Sequence, residues 1–456
     1  MDHGILGYAT YLPGHRLPFH ELRAQLGLGG DGSRVIASYD EDSTTMGVEA
    51  ARRAVNQGPR PPARPAAIYF ATTTPPYLDK TNAAAIHAAL DLGHEGFAVD
   101  MAGSARSGFG ALSAAAHGGG LAVLSDVRTG LPTSAEERGG ADAAAAFLFG
   151  PADEAAVEIV AAAATTAEFL DRWRLPGEPA SHQWEERFGV EVYMPLIREA
   201  VGQVRAQAGD AEPDHVVISS AHVRTAATAA KELGARAPAL SLGYAGAADL
   251  GLRLAAALDE AQPGQTILVV SAVDGCDAVM LRVREPIGQA RRGLPVARQL
   301  EGGREVTYAQ YLMWRGLLDR EPPRRPEPER PAAPPAARAE AWKFAFVGSA
   351  CQQCGQVHVP PRRVCVSCGS VDHMERRPLA DQQGTIATYT VDHLAFSPSP
   401  PMIDAVVDFE GGGRYTLEVA DASPDEVDIG TRLALTFRKL YTTGGVHNYF
   451  WKARPI

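Results

Sequence analysis

Four cysteines stand in a spacing that binds a metal ion. The segment CQQCGQVHVPPRRVCVSC places Cys351, Cys354, Cys365 and Cys368 in two Cys-x-x-Cys pairs separated by ten residues. Each pair can offer two thiolates to one ion, and four thiolates favour tetrahedral zinc. Because protein would then fill every coordination position, the pattern predicts a structural zinc. A redox dithiol is the competing interpretation, but no thioredoxin-like βαβ pattern surrounds the pairs.

A sharp turn in residues 96–112, GFAVDMAGSARSGFGAL, is the second chemical feature. An apolar run passes through small residues into an Ala-rich segment, which is typical of a strand followed directly by a helix. Turns of this kind often present a nucleophile. Here the apex reads Ser104, Ala105, Arg106 and Ser107, without a cysteine. Serine is also a favoured helix N-cap, so a capping role competes with a chemical one.

Two similar series of apolar runs could position these residues. The first series is AAIYFATTT (66–74), GFAVDMAGSARSGFGALSAAA (96–116), LAVLSDVRTG (121–130) and ADAAAAFLFG (141–150). The second is DHVVISSAH (214–222), APALSLGYAGAADLGLRLAAALDEA (237–261), TILVVSAVDG (266–275) and CDAVMLRV (276–283). Each series predicts a strand, a helix, a strand, a Gly/Ala-rich turn, a helix and two strands. Two related α/β halves are therefore expected.

The C-terminal third has a different composition. Residues 319–340, DREPPRRPEPERPAAPPAARAE, are rich in Pro, Arg, Glu and Ala and predict an extended linker with polyproline character. Five short β-like runs follow the cysteine segment: GTIATYTVDHLAF, MIDAVVDFE, RYTLEVA, RLALTFRKLY and VHNYFWKA. Such runs with little helix between them predict a small OB-like barrel.

The overall composition excludes some classes of protein. A net charge of −11 and a pI near 5.7 argue against a nucleic-acid-binding protein, which would concentrate Lys and Arg. The N-terminal MDHGILGYATYLPGHRL lacks the pattern of a secretory signal, and no window approaches 18 uninterrupted apolar residues. We therefore expect a cytoplasmic protein that does not bind a membrane.

Several segments resemble known families. GILGYATYLPGHRL, SDVRTGLPTSAEERGGADAAAAFLFG, DEAQPGQTILVVSAVDGCDAV and YAQYLMWRG resemble the thiolase superfamily, in the branch of hydroxymethylglutaryl-CoA (HMG-CoA) synthase and ketoacyl synthase III. The remainder resembles the zinc-ribbon and OB-fold family that accompanies acyl-CoA-handling thiolases. The resemblance implies an α/β fold with a pseudo-repeated five-layer αβαβα domain over residues 1–318. A linker over 319–341, a zinc ribbon over 342–378 and an OB-fold over 379–456 complete the expected organisation.

The resemblance also assigns active-site positions. The A-C-x-G-G pattern of the synthases falls on GSARSGFGAL and places Ala105 where they have a cysteine. T-E-x-P falls on ATTTPPYLDK and places Thr73 at the glutamate. H-Q-x-N falls on ISSAHVRTAA, with Ser219 at the histidine and His222 at the asparagine. G-N-T-G-A-A appears as GYAGAA, with Tyr244 at the asparagine. Four active-site loops are thus expected, each with its usual side chain replaced.

Chemistry that needs only an acid and a base would survive these replacements. We predict His222 and Tyr244 as proton-transfer residues, and Ser219 as a third catalytic candidate. Ser104 is the candidate for a substitute nucleophile if the register shifts by one residue, with His222 as its base.

Four residues are predicted to bind substrate. Thr73 and Ala105 occupy matched active-site loops, whereas Arg106 and Arg224 could contact a phosphate of CoA or of a carrier arm.

The expected function is that of an acyl-thioester enzyme. It would transfer an acyl group, or form or cleave a C–C bond by aldol, retro-aldol or Claisen-type chemistry, without a cysteine acyl-enzyme. We place it in specialised metabolism. The expected partners are acyl-CoA or an acyl-carrier protein, and the resemblance implies a homodimer. The alternative is a catalytically inactive subunit that binds acyl thioesters or scaffolds a synthase.

Overall fold

The computed structural model describes residues 3–28, 30–56, 64–184, 186–209, 212–235, 240–285, 287–290, 293–324 and 328–456. The chain divides into two compact units. The first comprises residues 1–37, 42–84 and 94–311, and the second comprises residues 38–41, 85–93 and 312–456.

The first unit alternates strands and helices. Its strands are β1 (His3–Tyr11), β2 (His15–Pro18), β3 (Ser33–Ile36), β4 (Ala67–Thr72), β5 (Phe97–Ala102), β6 (Gly120–Asp126), β7 (Ala143–Pro151), β8 (Val157–Thr166), β9 (Arg172–Trp173), β10 (His182–Gln183), β11 (His215–Ser220), β12 (Thr266–Ala272), β13 (Gly275–Val283) and β14 (Arg304–Glu305). Its helices are α1 (Phe19–Leu26), α2 (Ser43–Asn56), α3 (Ala83–Ala89, which begins in this unit), α4 (Ser107–Gly118), α5 (Ala135–Gly139), α6 (Glu186–Ala208), α7 (Val223–Glu232), α8 (Asp249–Glu260), α9 (Ile287–Ala290), α10 (Val296–Leu300) and α11 (Tyr308–Trp314, which also begins here). A 3₁₀ turn, Gly246–Ala248, precedes α8.

The predicted repeat of two α/β halves is confirmed. Nine strands join in the order β11-β12-β13-β8-β1-β7-β6-β4-β5, and the halves meet at one β1–β8 pair, where Ile5 lies opposite Val157. The runs that correspond in sequence form β4 and β11, α4 and α8, β6 and β12, and β7 and β13. Residues 237–239 of the run that corresponds to β5 lie outside the described residues, and residues 240–243 of that run form no strand, so the strand predicted there is not confirmed.

The helices produce the five expected layers. Helix α2 packs on β1, β6 and β7, and α6 packs on β8 and β13. Between the halves lie α4, which packs on β4 and β6, and α8, which contacts β11 and β12 on one side and β1 and β7 on the other. The central layer tolerates this close packing because its residues are small, as in SGFGALSAAAHG of α4.

Gly108 shows how tightly α4 is packed. A Cβ at Gly108 would lie 2.4 Å from the Ala247 carbonyl oxygen and 3.1 Å from Leu124, whereas a Cβ at Gly110 on the same helix would approach only Met101, at 3.9 Å. Packing therefore requires a glycine at position 108 but not at position 110.

We expect Gly108→Ala to lower the thermal midpoint of the first unit, with a cost of about 1–3 kcal/mol from the forced displacement of backbone. Gly110→Ala is the matched control and should leave the midpoint unchanged or raise it, because alanine favours a helix by about 1 kcal/mol. Scanning calorimetry checks both variants. Equal losses in the two variants would contradict the packing argument.

The second unit contains a small three-stranded sheet and a five-stranded one. Its elements are α12 (Ala333–Arg338), α13 (Glu340–Lys343), β15 (Val347–Cys351), β16 (Val357–His358), β17 (Met374–Pro378), β18 (Gly384–Asp392), β19 (Met402–Phe409), β20 (Arg414–Glu418), β21 (Arg432–Thr443) and β22 (Val446–Pro455). The order β16-β15-β17 forms the ribbon, and β20-β19-β18-β21-β22 forms the larger sheet. A bridge between Val419 and Ala453 brings its two edges together, so the five predicted runs form a closed barrel.

The linker differs from its prediction. Residues 325–327 lie outside the described residues, and residues 333–338 form a helix, so a wholly extended segment is wrong. The two prolines of APPAAR stand in the first turn, where the helix needs no backbone N–H from them, and the alanines favour continuation.

A cluster of charged side chains is buried in the second unit. Arg438 and Lys452, on β21 and β22, are each 0% exposed. Arg438 contacts Asp40 at 3.0 Å, Glu41 at 3.2 Å and Asp421 at 2.5 Å. Lys452 contacts Asp40 at 2.9 Å and Glu418 at 2.6 Å. Asp40 is therefore shared by two cations that have no access to water.

Among the described helices, none is both long enough and apolar enough to cross a bilayer.

Candidate active site

A cavity of about 840 Å³ lies in the first unit at the C-terminal ends of β4, β5, β11 and β12. The residues that line it include 73–76, 102–105, 171–178 and 272–274, together with Arg128, Ser181, Tyr193, Ala221, His222 and Tyr244. The ends of parallel strands leave such a crevice because the connections diverge there. Five of the eight predicted site residues in this unit, Thr73, Ser104, Ala105, His222 and Tyr244, line the cavity.

The turn between β5 and α4 forms one wall. The Ser104 hydroxyl donates to the Asp274 carboxylate at 2.7 Å and accepts the Arg106 N–H at 3.1 Å. Ser104 therefore stabilises the turn that precedes α4, and its side-chain partner is Asp274 rather than His222. The backbone N–H of Ala105 makes no hydrogen bond to a described residue, so it is available to a ligand.

His222 belongs to a buried hydrogen-bonded group with Asp171 and Tyr193. Its Nε2 is hydrogen-bonded to Asp171 Oδ2, which also accepts the Tyr193 hydroxyl at 2.9 Å. Burial raises the pKa of Asp171, but the hydrogen bonds and charge of its partners outweigh that effect and lower the pKa below its usual range. The other ring nitrogen, Nδ1, is buried without a partner among the described residues, and a Cβ at Gly189 would lie 2.6 Å from it. Among the described residues, the imidazole nitrogens therefore contact a polar partner only on the Asp171 side.

Tyr244 provides a hydroxyl. It is half-buried, and its hydroxyl has no hydrogen-bond partner among the described residues. Burial, together with the charge of Asp249, raises the pKa of Tyr244. The phenol therefore stays protonated at neutral pH and can donate to a substrate oxygen.

Thr73 and its neighbours are held by one carboxylate. Asp126, at the end of β6, is fully buried and accepts from the Thr72, Thr73 and Thr74 hydroxyls at 2.9–3.1 Å and from the Thr73 N–H at 2.7 Å. It also accepts the Ala247 N–H at 2.6 Å. Asp126 thus joins the loop after β4 to the 3₁₀ turn before α8.

Three predicted site residues do not line the cavity. Arg106 donates to both Asp277 oxygens at 2.8–2.9 Å and to the carbonyls of residues 165 and 274 at 2.8 Å. Ser219 is buried and donates to Asp249 at 2.7 Å. Arg224 is exposed near the start of α7. The contacts of Arg106 and Ser219 are those of framework residues.

The four ribbon cysteines converge as predicted. Their sulfur atoms all lie within 4.8 Å of one another, with Sγ–Sγ distances of 3.7 Å for Cys351–Cys368 and 3.5 Å for Cys354–Cys365. A zinc ion with Zn–S bonds of about 2.3 Å requires sulfur separations of about 3.8 Å. Gly355 and Gly369 follow the two pairs with φ of +76° and +75°, and their N–H groups close the turns. The donor set fits a structural zinc.

We expect about one zinc per chain, and Cys354→Ser to reduce it to near zero, because three thiolates leave the tetrahedron open. Cys354 is exposed, so the substitution removes a ligand with little loss of packing. Cys276→Ser, in the first unit, is the matched control and should retain the metal. Elemental analysis by plasma mass spectrometry measures both, and full zinc in Cys354→Ser would contradict the assignment.

Solved structures share the fold of this site. An HMG-CoA synthase complexed with CoA covers 68% of this chain and 89% of its own chain, with a TM-score of 0.56 and 14% identity. 3-Oxoacyl-(acyl carrier protein) synthase III from Pseudomonas aeruginosa covers 62% of this chain and 99% of its own, with a TM-score of 0.56 and 19% identity. At these sequence identities, the similarity shows a shared fold.

Curated relatives decide the family. The HMG-CoA synthase of Methanopyrus kandleri is 30% identical over 346 residues, which cover 69% of this chain and 97% of that protein. That of Archaeoglobus fulgidus is 29% identical over 341 residues, which cover 68% of this chain and 98% of that protein. The chain belongs to the hydroxymethylglutaryl-CoA synthase family.

This HMG-CoA synthase family member carries two further domains. Residues 344–372 match the family described as "ChsH2, rubredoxin-like zinc ribbon domain", and residues 377–438 match "ChsH2, C-terminal OB-fold domain". The predicted thiolase-like fold followed by a zinc ribbon and an OB-fold is confirmed.

Sequence reasoning missed part of the site of this family member. Asp171, Arg172, Arg174 and Tyr193 line the cavity, and none of them lies in the matched loops. The available signal was the segment FLDRWRLPGE (169–178), in which three charged residues surround a tryptophan between apolar runs.

Proposed function

We propose that this HMG-CoA synthase family member is an acyl-thioester enzyme that works without a cysteine acyl-enzyme. It would transfer an acyl group, or form or cleave a C–C bond, in the cavity beside Ala105. The observation that carries the proposal is the meeting of the Asp171–His222 pair, the Tyr244 hydroxyl and the Ala105 N–H at one cavity.

The cysteines of this sequence support chemistry without a thiolate nucleophile. Four of the five lie in the ribbon, and the fifth, Cys276, is 0% exposed on β13. Burial, with the nearby charge of Asp277, raises the pKa of Cys276 to about 12. It therefore stays a neutral thiol at pH 7. No cysteine is among the described residues that line the cavity.

Acid–base chemistry can operate with the groups present. In the aldol direction, the Asp171–His222 pair would take a proton from the carbon next to the thioester carbonyl, and the C–H electron pair would form an enolate. The Ala105 N–H and the Tyr244 hydroxyl would donate to the enolate oxygen. The enolate carbon would then bond to the acceptor carbonyl carbon, and the resulting alkoxide would recover the proton from the pair. In acyl transfer, the same pair would take the proton of a hydroxyl or amine acceptor as its heteroatom bonds to the thioester carbonyl carbon. The C–S bond would then break, and the departing thiolate would take the proton from the pair.

The carrier of the acyl group is CoA or an acyl-carrier protein. Among solved structures of this fold, one HMG-CoA synthase is complexed with CoA and the curacin-pathway HMG synthase with an acetyl donor carrier protein. We also propose a homodimer, because β5 is the last strand of the sheet and has one edge unpaired among the described strands.

The proposal predicts that no covalent adduct accumulates. We expect intact-protein mass spectrometry after incubation with acyl-CoAs and an acceptor to show the unmodified mass while product forms. The reason is that the Ser104 hydroxyl donates to Asp274 and has no histidine partner among the described residues. A stable acyl mass on Ser104, abolished by Ser104→Ala, would contradict chemistry without an acyl-enzyme.

A second candidate is an inactive subunit that binds acyl thioesters or scaffolds a synthase. It is favoured by the position of His222, whose Nε2 is occupied by Asp171 and whose Nδ1 faces Gly189. Under this alternative, His222→Ala and Tyr244→Phe would leave every turnover of the assembled complex unchanged. Loss of turnover in either variant would exclude it.

A further inference from the structure

Three arginines stand on one wall of the cavity. Arg172 and Arg174 flank Trp173 on and just after β9, and Arg128 follows β6. Trp173 stacks on His182 of β10, with ring centroids 5.4 Å apart and an angle of 14°. The pairing of β9 with β10 and this stack fix the segment that carries two of the arginines.

Arg128 and Arg172 contact carboxylates but still have N–H donors that no described residue accepts. Arg128 and Arg172 share one carboxylate oxygen, Glu136 Oε1, which lies 3.0 Å from Arg172. Arg128 also donates to the Thr73 hydroxyl at 2.8 Å. The Nε atoms of both arginines are buried and have no partner among the described residues. Arg128 also lies 4.0 Å from Asp126 Oδ2. Two cations therefore face two carboxylates, and their Nε–H donors remain unused among the described residues.

Arg174 has no carboxylate within 4.0 Å among the described residues. Its guanidinium donates to the carbonyl of Thr73 and, at 3.5 Å, to that of Glu178. Burial, followed by the positive charge of Arg128, lowers the pKa of Arg174. A half-buried guanidinium with only neutral partners is costly unless an anion joins it.

We propose that Arg174, with Arg172 and Arg128, binds a carboxylate carried by the acyl chain or the acceptor of the substrate. The inference rests on the proposed function and specifies its substrate class. A planar carboxylate suits the paired N–H groups of a guanidinium. The site faces the same cavity as Tyr244 and Ala105, whereas the phosphates of CoA are separated from the thioester by the whole pantetheine arm. An anion next to the reacting carbonyl therefore belongs to the acyl group or the acceptor.

Calorimetric titration of the full chain with glutaryl-CoA and valeryl-CoA tests this assignment. Both acyl groups have five carbons, but the glutaryl group ends in a carboxylate and the valeryl group ends in a methyl group. We expect the wild type to prefer glutaryl-CoA, and Arg174→Gln to reduce that preference by about tenfold to a hundredfold, the range for a hydrogen bond to a charged group. Arg174→Lys should retain part of the preference for glutaryl-CoA, because lysine keeps the positive charge. Partial retention would show that the loss in Arg174→Gln does not come from misfolding. Arg198→Gln, which alters an exposed pair with Glu232, is the matched control.

The outcomes distinguish a failure of the carboxylate site from a failure of the proposed function. If the wild type binds both thioesters with equal affinity, the carboxylate site is wrong and the proposed function is unaffected. The same conclusion follows if Arg174→Gln weakens the binding of both thioesters and of CoA itself by the same factor. If no thioester binds while free glutarate raises the thermal midpoint of the wild type but not of Arg174→Gln, the anion site stands and the proposed function falls. Absence of binding by thioesters and glutarate alike would overturn both.

Discussion

Asp171→Asn should lower the turnover of an acyl thioester by about two to four orders of magnitude, the usual range for loss of a general acid–base group. The substituted amide would keep the shape of the side chain, but it would not accept a proton or present a negative charge to His222. His222→Gln should cause a loss of similar size, because a hydrogen bond joins the two side chains and they would act as one acid–base unit. Initial rates of product formation measure both.

The double variant distinguishes a shared function from two separate ones. If Asp171 and His222 act as a unit, Asp171→Asn combined with His222→Gln should be no slower than the worse single variant. His20→Gln is the control, because His20 is exposed on α1 and lies outside the cavity. Losses that multiply in the double variant would show that the residues act independently, and an unchanged rate in Asp171→Asn would remove the pair from the mechanism.

Asp40→Asn should destabilise the second unit by about 3–5 kcal/mol, because it leaves two buried cations with an incomplete set of anions. Amide hydrogen exchange of peptides from β21 and β22 measures this locally, and we expect exchange to accelerate by about two to four orders of magnitude. Asp408→Asn is the matched control in the same unit, because Asp408 pairs with Arg414 at the surface. An exposed pair contributes at most about 1 kcal/mol.

The contribution of Asp40 to the free energy of unfolding should also depend on pH. Burial raises the pKa of Asp40, but the charges of Lys452 and Arg438 outweigh it and hold the pKa well below its usual range. A folded-state pKa below the unfolded value of about 3.9 stabilises the protein above that pH, and the contribution is lost as the pH falls further. The difference between wild type and Asp40→Asn should therefore be complete at pH 7 and shrink below about pH 4. A difference independent of pH would assign the loss to packing.

The repeated halves and the ribbon could be predicted because their signals are local. A strand buried on both faces is an uninterrupted apolar run, and a close helix requires small residues at its start, so β4–α4 and its counterpart are visible in sequence. The zinc site is also local, since its two pairs are only ten residues apart. The barrel followed from five runs of strand-forming residues between turns.

The partners of the functional groups could not be predicted in this way. Asp171 lies 51 positions from His222, and Asp40 lies 398 positions from Arg438. No periodicity links residues so far apart, and only the folded chain brings them together. Matching loops to a family also fixes positions but not side-chain partners, so it could not show that Ser219 donates to Asp249 and Arg106 to Asp277.

Asp126 joins the two halves through a contact that leaves no room for a side chain at position 246. Gly246 adopts φ of +58°, and a Cβ there would lie 2.0 Å from Asp126 Oδ2, so the second half contributes a residue without a side chain to receive an acid from the first. A side chain at position 246 would displace the Asp126 carboxylate, and with it the loop after β4 that this carboxylate holds.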